Sequence, residues 1–189
     1  MSSGYFSNAG VFLIQTLFHL YILVVLLRLL LQLVRADFYN PASQFLVKIT
    51  NPVIVPLRRA IPGLFNIDIA SVLLLLALKI SELALVSLLI GQTWSIEGLL
   101  LLAVAELLGL LLNVFLFSIL IQVVLSWIRP DDHNPLTALL YTLNEPLLAP
   151  ARRLLPPIGG LDLSPIAVMV GLQLASMLVI APLRALALG

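Results

Sequence analysis

The sequence predicts an all-α membrane protein: four transmembrane helices arranged as two parallel helix-loop-helix repeats, with short interfacial amphipathic helices in the long loops. Three observations predict it. Of the 189 residues, 61% are hydrophobic and 10% charged, against roughly 25% charged in an ordinary soluble domain, and the mean hydropathy is +1.15. Four apolar stretches are each long enough to cross the hydrocarbon of a bilayer, which takes about 20 residues. The polar segments between them repeat at a fixed offset. Ten Lys and Arg against nine Asp and Glu leave a net charge of +1, so nothing draws the chain as a whole toward nucleic acid. The absence of cysteine excludes disulfide staples, cysteine-ligated metals and thiol catalysis.

The first span is expected over residues 11–34. The segment before it, MSSGYFSNAG, has no basic region and no small-residue cleavage site, so this span is expected to be retained rather than removed as a signal peptide. A polar loop, 35–68, leads to the second span, 69–90. A short turn, 91–98, carries Glu97 and no basic residue. The third span, 99–128, is long enough to tilt or project, and a second polar loop, 129–162, precedes the fourth span, 165–188. The two loops hold ten of the twelve prolines and seven of the ten basic residues: Arg35, Lys48, Arg58, Arg59, Arg129, Arg152 and Arg153. Basic residues concentrate on the cytoplasmic side of membrane proteins. Both loops are therefore expected in the cytoplasm and both termini outside. Residues 1–94 and 95–189 form the two expected domains.

An offset of 94 superimposes loop 35–68 on loop 129–162 without a gap, with eleven identities. They include Asn40-Pro41 with Asn134-Pro135, Pro52 with Pro146, Pro56 with Pro150, Arg58-Arg59 with Arg152-Arg153, and Asp68 with Asp162. Both halves thus share one orientation. Asn followed by Pro is an N-cap and first helical residue, so short helices are expected over 41–50 and 135–144, ending before Pro52 and Pro146. Leu46 and Ile49, and Leu139, Leu140 and Leu143, form an apolar side suited to the headgroup region, with Tyr39, Tyr141 and Trp127 as aromatic anchors. Asp68 and Ser164-Pro165 are expected to cap the returning spans.

The segments Ser126-Trp127-Ile128-Arg129-Pro130, Asn134-Pro135, Glu145-Pro146-Leu147-Leu148-Ala149-Pro150-Ala151-Arg152-Arg153-Leu154-Leu155-Pro156 and Gly160-Leu161-Asp162-Leu163-Ser164-Pro165 resemble the signature of the YggT family of small bacterial and plastid membrane proteins. The resemblance covers both halves. Glu145 stands where the family usually carries Asp, Leu33 stands opposite Trp127, and Ala70-Ser71 opposite Ser164-Pro165, so the first copy is a degenerate version. The resemblance implies a multi-pass protein of the bacterial inner membrane, with family associations to osmotic tolerance, to cell division or nucleoid organisation and, in plastids, to cytochrome assembly.

Ionisable residues inside spans are costly and point to function by default. Counted at 1.5 Å per residue from Arg35 and Asp68, Arg28 lies about 10 Å deep, Lys79 about 16 Å, Glu82 about 21 Å and His19 about 24 Å. The offset aligns His19 with Asn113, Arg28 with Gln122, Gln32 with Ser126, Lys79 with Gln173, and Glu82 with Ser176. These positions are expected to line the seam between the repeats, with Glu82 paired to Lys79 or to His19 or Asn113. The cluster reads either as a polar packing seam or as an ion or proton path. The small-residue stripe Ala167, Gly171 and Ala175 suits close packing. His19 lacks the second axial partner that a haem would need. Glu106 is expected to be wetted near the outer end of its span.

Asp131, Asp132 and His133 are expected to serve helix capping rather than to hold a metal. The twin arginines, Arg58, Arg59, Arg152 and Arg153, keep their spacing to flanking prolines and to Asp68 and Asp162. Guanidinium forks suit phosphate and carboxylate, so a lipid headgroup, a partner protein or the two aspartates are the candidate contacts. No nucleophile triad, phosphate loop or metal-ligand spacing is present in the sequence. The expectation is a non-enzymatic organisation or assembly factor without cofactors, its partners being membrane lipids and a second copy or another membrane protein. The alternative is a small oligomeric ion conduit or osmotic-stress transporter using Lys79, Glu82 and His19.

Overall fold

A computed structural model describes residues 2–61, 63, 68–128, 134–155 and 162–188. Among these the chain is helical, without strands. Helix α1 spans Ser2–Leu33, α2 Pro41–Ala60, α3 Ile69–Ile90, α4 Ile96–Ile128 and α5 Pro135–Leu154. Then α6, Ser164–Ala175, continues through a π-helical turn, Ser176–Ile180, into α7, Ala181–Leu188. Four segments are long and apolar enough to cross a membrane: Phe6–Leu33, Ile69–Ile90, Ile96–Ile128 and Ser164–Ala187.

Packing follows chain order. Helix α3 lies against both α1 and α4, while α4 carries α6 and α7 on its other side. The buried core joins Ile22, Val25, Leu26 and Leu29 of α1 to Leu74 and Leu75 of α3 and Val114 of α4. At one end of the bundle, α2 packs under α1 and α5 under α4. Ile54 of α2 and Leu139 and Leu143 of α5 close the same core, and Asn40 Nδ2 donates to the Pro135 carbonyl at 2.7 Å, tying the two loops together. Large apolar side chains such as Phe12, Leu17, Phe117 and Leu178 remain exposed. A helix surrounded by lipid needs no polar outer face.

The loop helices begin as expected, with the Asn40 and Asn134 side chains accepting from Ala42 N and Leu136 N. They do not stop at the prolines. Both run 20 residues, through Pro52 and Pro56 and through Pro146 and Pro150. A proline inside a helix removes one hydrogen bond and crowds the carbonyl four residues earlier, at about 3 kcal/mol. Here each pair is spaced by four and is exposed. The disrupted bonds therefore lie on the outward side, where surrounding water or headgroups can serve the carbonyls. Ile54 and Leu148, at equivalent positions, are 0% and 1% exposed, and this inward packing carries each helix past its prolines. A second correction concerns the apolar side of α5. Leu139 and Leu143 are buried in the core, not laid on a membrane surface.

Helix α1 ends with the Ala36 N–H bonded to the Leu31 carbonyl and the Arg35 N–H to that of Gln32. This is a Schellman closure, in which glycine usually occupies the left-handed position. Arg35 occupies it with φ 55, at a cost on the order of 1–2 kcal/mol. The turn between α3 and α4 is shorter than expected, because Gly91 caps α3 at φ 69 and α4 already begins at Ile96. Ser164 is not an N-cap. It is the first residue of α6, its backbone N–H bonded to Asp162 Oδ1 at 2.9 Å, and its hydroxyl is buried without a partner. Gly171 faces open space, so the small-residue stripe of α6 does not pack within this chain there.

Candidate functional site

The twin arginines divide their work. Arg58 donates through Nε at 3.1 Å and Nη2 at 2.6 Å to Asp68 Oδ2, and through Nη2 to Gln32 Oε1 at 2.7 Å. Arg152 donates through Nε to Asp162 Oδ2 at 3.1 Å and through Nη1 to Glu145 Oε2 at 3.0 Å. The end of each loop helix is thereby clasped to the residue that precedes the next span. Arg59 and Arg153 stand exposed, with no ion pair among the described residues.

The clasps leave an electrostatic signature. Burial pushes the Asp68 carboxyl up, but hydrogen bonds from Arg58 and Ser71 outweigh it and hold the group below the ordinary aspartate value. At Asp162 burial is likewise outweighed, by Ser164 and Arg152. The Arg152 guanidinium, opposed only by its own desolvation, is held above its ordinary value by Asp162 and Glu145.

Inside the spans the expected residues fall into three groups. His19, Lys79 and Glu82 come together where α1 meets α3. Lys79 Nζ donates to both Glu82 oxygens at 3.1 and 3.0 Å, with Lys79 4% and Glu82 2% exposed. His19 Nδ1 lies 2.8 Å from the Gln15 carbonyl and 3.3 Å from Glu82 Oε1. Both neighbours are acceptors, so the ring proton belongs on Nδ1, leaving Nε2 to accept from Lys79 at 3.5 Å. His19 and Lys79 border a cavity of about 170 Å³ that Asn113, Glu106 and Arg184 also line.

The pairing of Arg184 with Glu106 is the part of this group that the sequence reading missed. Glu106 keeps 29% of its side chain exposed, and Arg184 Nε donates to its Oε1 at 3.0 Å. Gly109 makes room: a Cβ there would lie 3.2 Å from Arg184 Nη2. The π-helical turn immediately precedes α7 and resets the facing of the helix that carries Arg184.

The second group lies within each repeat rather than between them. Arg28 Nη1 donates to the Thr50 hydroxyl of α2. Asn144 of α5 donates through Nδ2 to Gln122 Oε1 at 2.8 Å and accepts from Ser118 Oγ at 2.5 Å. Thr50 and Asn144 are themselves 94 positions apart, so the same span-to-loop-helix contact is built twice. That offset was the available signal for both residues. The third group is Gln173 alone, which is exposed on α6 and joins no seam among the described residues. The Asp131, Asp132 and His133 cluster, with Arg129, lies outside the described residues, and no group of three metal-ligating side chains occurs among the described ones.

The model of the CCB3/YggT family matches residues 7–89 and again 101–183. The chain belongs to that family. Each match contains one loop helix, one Arg–Asp clasp and the two spans that flank them. Relatives agree along nearly the whole length. An uncharacterized Pseudomonas aeruginosa protein is 46% identical over 184 residues, covering 95% of this chain and 92% of its own. A Vibrio alginolyticus protein is 45% identical over 174 residues, covering 90% and 93%. The Escherichia coli K12 protein YggT is 40% identical over 173 residues, covering 90% and 88%. No solved structure matches the chain. Family membership and the four apolar helices make this a multi-pass membrane protein.

Proposed function

We propose that this YggT-family chain is a non-enzymatic organising or assembly factor of the bacterial inner membrane. Its two loop helices lie on the cytoplasmic surface and engage anionic lipid headgroups or a partner complex held there. The observation that carries the reading is the duplicated loop helix. Each copy is fastened inward by its first arginine and presents its second, Arg59 or Arg153, outward. On α2 the exposed face also carries Phe45, Ile49 and Val53, a stripe spaced by four that suits shallow insertion beside cationic residues. Each basic residue near an anionic surface contributes about 1 kcal/mol.

The test uses the cysteine-free chain with a fluorophore at F45C or V53C, reconstituted with brominated lipid in phosphatidylglycerol or phosphatidylcholine nanodiscs. Quenching on the Phe45–Val53 stripe but not at K48C, deeper in phosphatidylglycerol and reduced by R59Q/R153Q, is the expected result. Equal water exposure of all three labels in both lipids would reject the reading.

The cavity lined by His19, Lys79, Glu106, Asn113 and Arg184 favours a second reading, a small ion conduit. Potassium or proton flux in proteoliposomes, absent in the stability-restored K79M/E82M variant, would support it; no flux from the wild-type protein would reject it.

A further inference from the structure

Three basic residues lie within the apolar spans or their helical continuation: Arg28, Lys79 and Arg184. Two have carboxylate partners, Lys79 with Glu82 and Arg184 with Glu106. Arg28 is 7% exposed and has no carboxylate partner among the described residues. The hydroxyl of Thr50 takes one of its five N–H donors. Asp68 is the nearby carboxylate whose charge attracts it, but it forms no ion pair with Arg28, and its Oδ2 accepts from Arg58 and Ser71. A buried charge left unpaired is strongly unfavourable.

Arg28 borders a cavity of about 320 Å³ between α1 and α2, at the end of the bundle where the loop helices lie. Arg35 and Arg58 line the same cavity. So does Ser43, which is 7% exposed and whose hydroxyl has no hydrogen-bond partner. The remaining wall includes Leu31, Leu46 and Val47. A buried guanidinium without an ion pair, a second arginine held in a left-handed backbone conformation and an orphaned hydroxyl thus line one cavity beside an apolar wall. Guanidinium groups and a hydroxyl donor match the oxygens of a phosphate. The second repeat has a cavity of about 340 Å³ at the equivalent place, lined by Gln122, Ser126, Tyr141 and Arg152, but there neutral Gln122, satisfied by Asn144, stands in place of Arg28.

We propose that the Arg28–Arg35–Ser43 cavity is a phosphate-binding site belonging to the first repeat alone, and that its ligand is a phosphoryl group carried by an anionic lipid or free in solution. The proposal rests on the lipid-surface reading above and deepens it. It adds one stoichiometric site to the diffuse attraction at Arg59 and Arg153.

The experiment titrates detergent-purified full-length chain with phosphatidylglycerol, phosphatidylcholine or inorganic phosphate and counts retained ligand by native mass spectrometry. One phosphatidylglycerol per chain is expected where phosphatidylcholine is not retained. Binding should weaken roughly tenfold or more in R28Q/T50N and in R35Q. The first variant transplants the second repeat's Gln–Asn pair and keeps the helix contact; the second changes an exposed residue. Retention of inorganic phosphate with the same sensitivity to R35Q supports the site and assigns it to free phosphate. Unchanged binding in both variants overturns the proposal. Loss confined to R59Q/R153Q overturns the cavity while leaving the surface reading intact; loss confined to R28Q/T50N and R35Q supports the cavity, and the surface reading is then decided separately by the labelled Phe45–Val53 stripe.

Discussion

Arg58 and Asp68 stand ten residues apart and meet at 2.6 Å, and Arg152 and Asp162 repeat the pairing at 3.1 Å. In the first repeat the carboxylate is 5% exposed, in the second 41%. The same clasp is therefore nearly dry in one half and wet in the other. Replacing Arg58 by alanine strands a buried carboxylate, which costs about 1–3 kcal/mol. The lower half of that range applies because Arg58 itself is partly exposed. R152A should cost under about 1 kcal/mol. Thermal unfolding in detergent checks the order, and a larger loss in R152A would contradict it.

The pH response follows from Asp68. Its folded-state value lies below the ordinary aspartate value, so the clasp's contribution is fully present above the unfolded value of about 3.9. It is lost as pH falls through the folded one. Unfolding temperature should decline in acid below about pH 4, and D68N should flatten that decline while lowering stability at neutral pH. An unaltered acid limb in D68N would refute the assignment.

Two glycines set how closely α4 meets α7. A Cβ at Gly98 would lie 2.8 Å from the Ala187 carbonyl oxygen, a backbone atom, whereas at Gly109 the obstacle is the tip of the Arg184 side chain at 3.2 Å. Backbone cannot yield as a side chain does. G98A should destabilise by about 1–3 kcal/mol and G109A by less, read as unfolding temperatures.

Within the spans, E82Q leaves the buried Lys79 ammonium without its carboxylate and should cost about 3–5 kcal/mol. K79M/E82M removes both charges and should recover most of that loss. Equal destabilisation by the single and double variants would show that the pair is not what makes the site sensitive.

Arg35 offers a separation of stability from binding. Glycine suits its left-handed backbone, so R35G should raise the unfolding temperature by relieving strain on the order of 1 kcal/mol. The same variant should lose phosphatidylglycerol retention. A residue kept only for helix termination would show the first effect without the second.

Several of these relationships were legible without coordinates. Asn40-Pro41 and Asn134-Pro135 marked both helix starts, and the constant spacing from Arg58 to Asp68 named the clasp among three possible contacts. Lys79 and Glu82, three apart on one helix, announced their own pairing. Other features were hidden for identifiable reasons. Pro52 and Pro146 read as helix ends because a local rule does not include the inward burial of Ile54 and Leu148. Glu106 and Arg184 lie far apart in sequence, and no local spacing relates them.

Solvent, span number and internal duplication are written in the chain because hydropathy and repeat offset are linear properties. Facing is not. A helix in lipid is apolar on its outer side as well as its packed side, so the pattern that orients a helix in water is lost. Gln173, aligned with Lys79, could be placed on the outer face only by the packing of α6 against α4. Arg28, aligned with Gln122, could be recognised as a buried charge without an ion pair among the described residues only once α2 closed over it.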